Sequence, residues 1–245
     1  MERAAAQKNP YAAYLAGKIR LTDAEVKDIL RAIRDFAIAA ESGNDYAEYQ
    51  LGKIYLYGKE VERDYEKAIA YTFAHKQMIY ESAQYHNAVF VGFDQDGVPC
   101  HANMRGTGSE STFKGNADSS IPEYSFHWTG RSKYLLLFEA PIDMLSFISM
   151  HKKNWQQHSY AAACSVSDRV LFQMLKDNPN ISEVFLCMDS DEPGQTAAKR
   201  ISDKLFTQGI NAKILIPEHK DWNEDLLYLN REESEVEEPC QVLQL

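Results

Sequence analysis

From residue 133 onward the chain alternates short apolar runs with longer amphipathic segments, and this rhythm limits the possible folds more than any other feature. "KYLLLFEA" (133–140), "SYAAACS" (159–165), "ISEVFLCMDS" (181–190) and "NAKILIP" (211–217) read as strands. Between them "PIDMLSFISMHKKN", "DRVLFQMLKDNP" and "EPGQTAAKRISDKLFTQG" read as helices. Alternation of this kind predicts a parallel sheet with helices on both faces. Ligands of such sheets sit beyond the carboxyl ends of the strands.

That rule gathers the acidic residues. Glu139 closes the first strand of this region, and Asp189 with Asp191 closes the third. Two aspartates separated by one residue, directly after a buried strand, can aim both carboxylates into one cleft where the chain leaves β geometry. Such a cluster suits a hard cation, because Mg²⁺ takes oxygen ligands and binds through one or two carboxylates plus waters and substrate phosphates. A further acidic segment, "HKDWNEDL" (219–226), brings Asp221, Asn223 and Glu224 to the rim. Each acid alone is better explained as a helix cap, since Asp143, Asp191 and Glu192 fall where a helix dipole welcomes negative charge. For Glu139 and the Asp189/Asp191 pair together, at equivalent strand ends, capping is the weaker explanation; Asp143 is expected to be structural. Arg105, Lys114 and Arg131 are candidate phosphate contacts, although a solvated charge is the better explanation for any one of them, and Lys220 beside the acids is a somewhat better candidate.

The first third of the chain repeats itself. "YAAYLAGKIRL" (11–21) and "YAEYQLGKIYL" (46–56) align at a period of roughly 35 residues, which signals stacked helical units. Small residues at Ala12, Gly17, Ala47 and Gly52 suit close helix approach, and Gly43-Asn44 marks a helix stop. Tyr46, Tyr49, Tyr55 and Tyr65 recur at positions expected to pack inside these units. The stretch "AAESGNDYAEYQLGKIYLYGKEVERDYEKAIAY" (39–71) resembles the Sel-1-like family, relatives of tetratricopeptide repeats. The resemblance implies a scaffold that binds other proteins. Because the chain opens almost inside the first unit, a truncated or recombined gene is expected. Next, "QYHNAVFVGFDQDGVPCHANMRG" (84–106) predicts two antiparallel strands joined at "DQDG", and "YSFHWTG" (124–130) another short strand.

The order strand, Glu139, helix, then strand, "MDSDEPGQTAAKRI" (188–201), helix resembles the Toprim domain shared by bacterial primases, topoisomerases and several nucleases. "FEAPIDML" (138–145) resembles its glutamate motif, and Asp189, Asp191, Gly194, Ala197 and Ala198 resemble the signature of its primase-like branch. Residues 76–130 further resemble an uncharacterised domain that precedes Toprim domains on plasmids and integrative elements. These resemblances imply an α/β Toprim fold, a Rossmann-like parallel sheet with helices on both faces. A small β-rich segment and an N-terminal helical-repeat segment would precede it. The expected boundaries are repeats at 1–75, the β-rich domain at 76–130, Toprim at 131–230 and an acidic tail at 231–245. By the same resemblance Glu139 is the general acid/base or a metal ligand, and Asp189 and Asp191 hold Mg²⁺, with Mn²⁺ as an alternative. Where relatives often carry a glycine turn, this chain reads "CSVSD" (164–168).

Composition excludes several classes. No run of about 18 apolar residues is present, and the opening "MERAAAQKNP" lacks the apolar centre of a secretion signal, so neither a membrane span nor export is expected and the cytoplasm is the default. The four cysteines form no C-x-x-C pair, so no zinc is expected. His86, His101 and His127 show no metal-ligand spacing. A formal charge of −10 argues against wholesale coating of nucleic acid but not against a metal-bridged contact. The acidic stretch "NREESEVEEPC" (230–240) reads as a solvated, poorly ordered end.

Two functions from different classes follow. The first is a Mg²⁺-dependent Toprim protein of a mobile genetic element, acting on DNA, expected to be single-stranded, by primase-like nucleotidyl or phosphoryl transfer or by nicking in plasmid or conjugative DNA processing. The second is a non-catalytic DNA-docking module that recruits a relaxase or other conjugation protein through its helical repeats.

Overall fold

The structure is a computed structural model of the 245-residue chain. It describes residues 10–22, 27–57, 59, 61–62, 64, 67–68, 71–73, 76–82, 84–108, 113–165 and 167–237. The chain divides into two compact units, Met1–Ser82 and Ala83–Leu245.

The first unit carries α1 (Pro10–Thr22), α2 (Ile29–Glu41) and α3 (Asp45–Tyr57), followed by a short strand, β1 (Ile79–Glu81). Its core is built from small residues around one ring and one leucine: Ala13, Ala32, Ala39 and Ala47 enclose Phe36 and Leu51, all fully buried. A Cβ on Gly17 would come within 2.9 Å of the Phe36 ring, so glycine is what lets α1 and α2 approach there. Side-chain caps define the helix starts: Asp28 accepts from the Arg31 N–H at 3.0 Å, and Asn44 from the Ala47 N–H at 3.0 Å. Gly43, at φ +78°, ends α2 in the left-handed region. The tyrosines differ from expectation. Tyr46 and Tyr49 are 63% and 46% exposed, because the alanines and Phe36 already fill the seam. Tyr55 does pack, stacked on Tyr71 at 6.2 Å, whereas Tyr65 lies outside the described residues.

In the second unit β2 (Ala88–Phe93) and β3 (Pro99–Arg105) form the expected hairpin, and β4 (Lys114–Asn116) pairs with β3. The Asp94 carboxylate accepts from the Asp96 and Val98 N–H groups, and Gly97 takes φ +77°, which together set the turn. The α/β sheet contains β5 (His127–Trp128), β6 (Tyr134–Phe138), β7 (Ser159–Ala162), β8 (Glu183–Cys187) and β9 (Asn211–Ile214), in the order β5-β7-β6-β8-β9. The four strands from β6 to β9 are parallel, as their alternation with helices predicts.

The sheet is not purely parallel. β5, which the sequence reading grouped with the preceding β-rich segment, joins antiparallel to β7, Trp128 opposite Tyr160. It covers an edge whose backbone groups would otherwise lack partners. Helices α4 (Pro141–Met150), α5 (Arg169–Asp177), α6 (Glu192–Thr207) and α7 (Trp222–Glu237) complete the unit. One face of the sheet presents Leu135, Leu137, Val184 and Leu186 to α5 and α6. On the other face Phe138 meets Phe147 of α4 and Trp222 of α7, with ring centroids 5.3 and 6.4 Å away. Residues 231–237, expected within a poorly ordered tail, continue α7 as helix.

Candidate metal and phosphate site

The carboxylates arrive through local chain geometry. β6 ends at Phe138, Glu139 follows, and Pro141 opens α4 at once, since its missing N–H is no loss at a first helical position. On the neighbouring strand β8 ends at Cys187, and Asp191 starts α6 by accepting from the Gly194 N–H at 2.9 Å. Between them stands Asp189. Its carbonyl accepts from the Gln195 side chain at 2.8 Å, and a Cβ at position 194 would lie 2.5 Å from that carbonyl oxygen. The glycine of the D-x-D-x-x-G pattern is therefore needed for the helix to start this close to the aspartate backbone.

Oδ1 of Asp189 is buried and has no hydrogen-bond partner. Burial, followed by Glu139, Asp143, Asp221 and Asp191, pushes the Asp189 carboxyl up to about 7. Glu139 is also raised, by burial and then by Asp191, while Lys114 and Lys220 oppose the shift. Asp143 is 6% exposed and rises to about 6 through burial and Asp221. It accepts from the Asn223 N–H at 3.4 Å, tying the first turn of α4 to that of α7.

The remaining rim residues have structural duties. Asp221 accepts from the Glu224 N–H at 2.8 Å and Glu224 from the Lys220 N–H at 3.3 Å, a capping arrangement for α7. Ser146 donates to the Asn223 side chain at 3.4 Å. The Lys220 carbonyl accepts from Ser190 N–H and Oγ at 2.9 and 3.1 Å, which pins the loop after β9 to the loop that carries Asp189. Asp191 is likewise a cap, so one of its oxygens is already engaged.

A cleft of about 260 Å³ opens beside Glu139. Arg105 of β3 and Lys114 of β4, two of the candidate phosphate contacts, line it. Cys164 and Ser165 of the "CSVSD" segment line it as well, and so do Asn103 and Asn116, which were not singled out. The period of two in β3 and β4 could have found the asparagines. Asn103 and Arg105 share a face, their β4 partners are Asn116 and Lys114, and Asn103 donates to Asn116 at 2.8 Å. Cys164 occupies φ +55°, the left-handed region that glycine fills at no steric penalty, and burial pushes its thiol up to about 12.

Arg131 does not belong to this site. Its carbonyl accepts from Asn180 at 3.5 Å at the amino end of β6, the opposite edge of the sheet from Glu139. Parallel strands of this length separate the two edges by about 15 Å or more.

Among the described residues no group of three or more His, Cys, Asp or Glu side chains is arranged to hold a metal ion by itself. The donor set nevertheless fits a hard cation. All the candidate donors are carboxylate oxygens, one is buried without a partner, and the acids raise one another's affinity for protons, a tension that a cation relieves. Mg²⁺ needs only one or two carboxylates, its other positions being taken by water and phosphate.

The sequence profile of the family described as Toprim-like matches residues 136–226, and that of a protein of unknown function, DUF3991, matches residues 60–132. The chain thus carries a Toprim-like domain preceded by a DUF3991 domain. An uncharacterized protein of Bacillus anthracis is 22% identical over 186 residues, covering 67% of this chain. The chain spans about half the length of that relative, 54%. Among solved structures, the primase fragment of the bacteriophage T7 primase-helicase protein superposes with a TM-score of 0.47 at 18% identity, over 64% of each chain. The E. coli primase catalytic core does so with 0.45 at 16% identity, over 80% of this chain and 72% of that one. Superpositions this loose transfer no residue roles. Among the described residues no helix is long and apolar enough to cross a membrane.

Proposed function

We propose that this chain acts on DNA phosphodiesters with Mg²⁺, or Mn²⁺ in its place, in a primase-like transfer or a nicking reaction. The observation that carries the reading is the buried, unpartnered Oδ1 of Asp189, electrostatically coupled to Glu139 at the mouth of a cleft whose other wall bears Arg105 and Lys114. Asp189 and Glu139 would hold the ion, with the free oxygen of Asp191 available to it. A divalent cation bound there stabilises charge that develops on a transferring phosphoryl group.

The chain's own groups do the remaining work. Arg105 and Lys114 bind phosphate, and the charge of Lys220, like that of Lys114, favours the ionised form of Glu139. If Glu139 is the general acid/base and not a ligand of the ion, its raised proton affinity suits it to take a proton from an attacking hydroxyl and return it to a leaving oxygen. Asp143, Asn223, Asp221 and Glu224 fix the two helix starts that frame the site. In this reading the substrate is single-stranded DNA in plasmid or conjugative processing. The N-terminal helices, as Sel-1-like repeats, recruit a protein partner.

That no three-ligand group is arranged among the described residues favours a second reading, a DNA-docking module without turnover. Mg²⁺ titration followed by thermal shift, then assays for product on single-stranded DNA with nucleotides present, separates the two. Saturable stabilisation lost in Asp189→Asn, with product lost in Glu139→Ala while DNA binding persists, supports the enzyme. No metal response in a folded wild type rejects the Mg²⁺ reading.

A further inference from the structure

The second face of the α/β sheet is fully covered along its carboxyl half, whereas toward the amino half Tyr160 and Leu136 are buried but Tyr134 and Phe185 stay half-exposed. At the carboxyl half Phe138 lies under α4 and α7, and the Trp222 indole N–H donates to the Cys187 carbonyl at 2.9 Å. Toward the amino half the register lines up Tyr160, Leu136, Phe185 and Lys213 across four adjacent strands, with Tyr134 and Glu183 in the next row. No helix closes over these rows completely, and they floor a groove of about 360 Å³, bordered by Phe147 and His151 at the end of α4 and by Lys153 beyond it.

Rings and lysines alternate around this groove. Tyr134 and Phe185 lie 5.8 Å apart at 60°, so they flank the space and are not stacked on each other. Lys133 stands 5.3 Å from the Tyr134 centroid and Lys213 5.4 Å from that of Phe185. Glu183 accepts from both Lys133 and Lys213, and the exposed Lys153 adds a third positive charge. Two lysines on Glu183 and a third, Lys153, on the groove's border give this face a local excess of positive charge in a chain of net charge −10.

We propose that this groove holds an unpaired nucleotide of single-stranded nucleic acid, its base against Tyr134 and Phe185 and its phosphates on Lys153 and Lys213. Aromatic platforms with flanking cations bind single strands because every base offers a π-face and every linkage a negative charge. A duplex keeps its bases stacked and could not present one to this floor. A free nucleotide is usually held in a cleft that buries most of it, whereas this groove is open along the sheet. A purely apolar peptide would leave the exposed charge of Lys153 unmatched. The groove sits at the amino half of the strands and Glu139 at their carboxyl ends, so the inference does not rest on the chemistry proposed there.

The test is fluorescence anisotropy of the full chain with a labelled oligothymidylate of about eight residues and with an abasic oligomer of the same length, a strand that spans such a site. Tyr134→Leu/Phe185→Leu should weaken binding of the thymidylate about fivefold or more, and should leave the weaker abasic complex unchanged. Lys153→Ala/Lys213→Ala, at exposed positions where folding is not at issue, should flatten the salt dependence by about one to two phosphate contacts. Both variants should keep the metal response of the wild type, which separates failure here from failure at the carboxylates. Binding unchanged in both variants overturns the proposal. So does thymidine monophosphate competing as well as the oligomer, which reassigns the groove to a free nucleotide. Absence of single-strand binding in the wild type, with an apolar peptide occupying the groove instead, overturns it too.

Discussion

Replacing Asp189 by asparagine should stabilise the metal-free protein at neutral to alkaline pH, an unusual outcome for a residue proposed to be functional. The carboxyl has an ordinary value of 3.8 and is pushed up to about 7 in the fold, so the folded state binds its proton more tightly than the unfolded chain does. The ionised form therefore destabilises the fold. This penalty is absent below about pH 4, grows as pH rises and is complete above about pH 7. At face value the shift corresponds to roughly 4 kcal/mol. Water reaching the half-open cleft screens this to about 1–2 kcal/mol. Asparagine keeps the shape without the charge, and a unit of this size should gain about 2–8 °C in Tm. The assay is thermal denaturation of both proteins in chelator at about pH 8 and about pH 4, repeated with Mg²⁺ at the higher pH. The gain should appear at the higher pH, shrink toward the lower one and be offset by Mg²⁺, which stabilises only the wild type. An asparagine variant less stable than the wild type at about pH 8 without metal, or equally displaced at both pH values, would refute the reasoning.

Three further outcomes follow from named contacts. Gly194→Ala places a Cβ against the Asp189 carbonyl and should destabilise by about 1–3 kcal/mol while weakening the Mg²⁺ response, read by urea denaturation and metal titration. Arg105→Ala/Lys114→Ala should reduce DNA affinity and its salt dependence, whereas Arg131→Ala, at the far edge of the sheet, should change neither; filter binding at several salt concentrations decides. Phe36→Ala should remove about 3–5 kcal/mol from the helical unit, seen by circular dichroism during denaturation, because the ring fills the seam that Gly17 leaves open.

Much of this molecule could be read locally. The apolar runs ending at Phe138, Cys187 and Ile214 and the helices between them followed from periodicity, and so did the positions of Glu139 and Asp189 at strand ends. The turn at Asp94–Gly97 and the close approach at Gly17 were equally legible, since each depends on residues with special backbone geometry. Which acids are caps was only half legible. Asp191 shows the cap pattern in sequence, but Asp221, read as a rim residue, turns out to cap α7, and the orphaned oxygen of Asp189 is a property of its packed surroundings.

By itself, then, the order of residues determined the strand and helix periods and the carboxylates at the ends of β6 and β8, because these depend on near neighbours in the chain. Only the tertiary structure decided that β5 would close the edge of the sheet and that α7 would continue through the acidic segment. It alone decided that Arg105 and Lys114 would face Glu139 while Arg131 would not, and that Tyr134, Phe185 and Lys213 would stay partly open on one sheet face. Those outcomes depend on which surfaces meet across distant parts of the chain, and burial, not sequence spacing, selects among them.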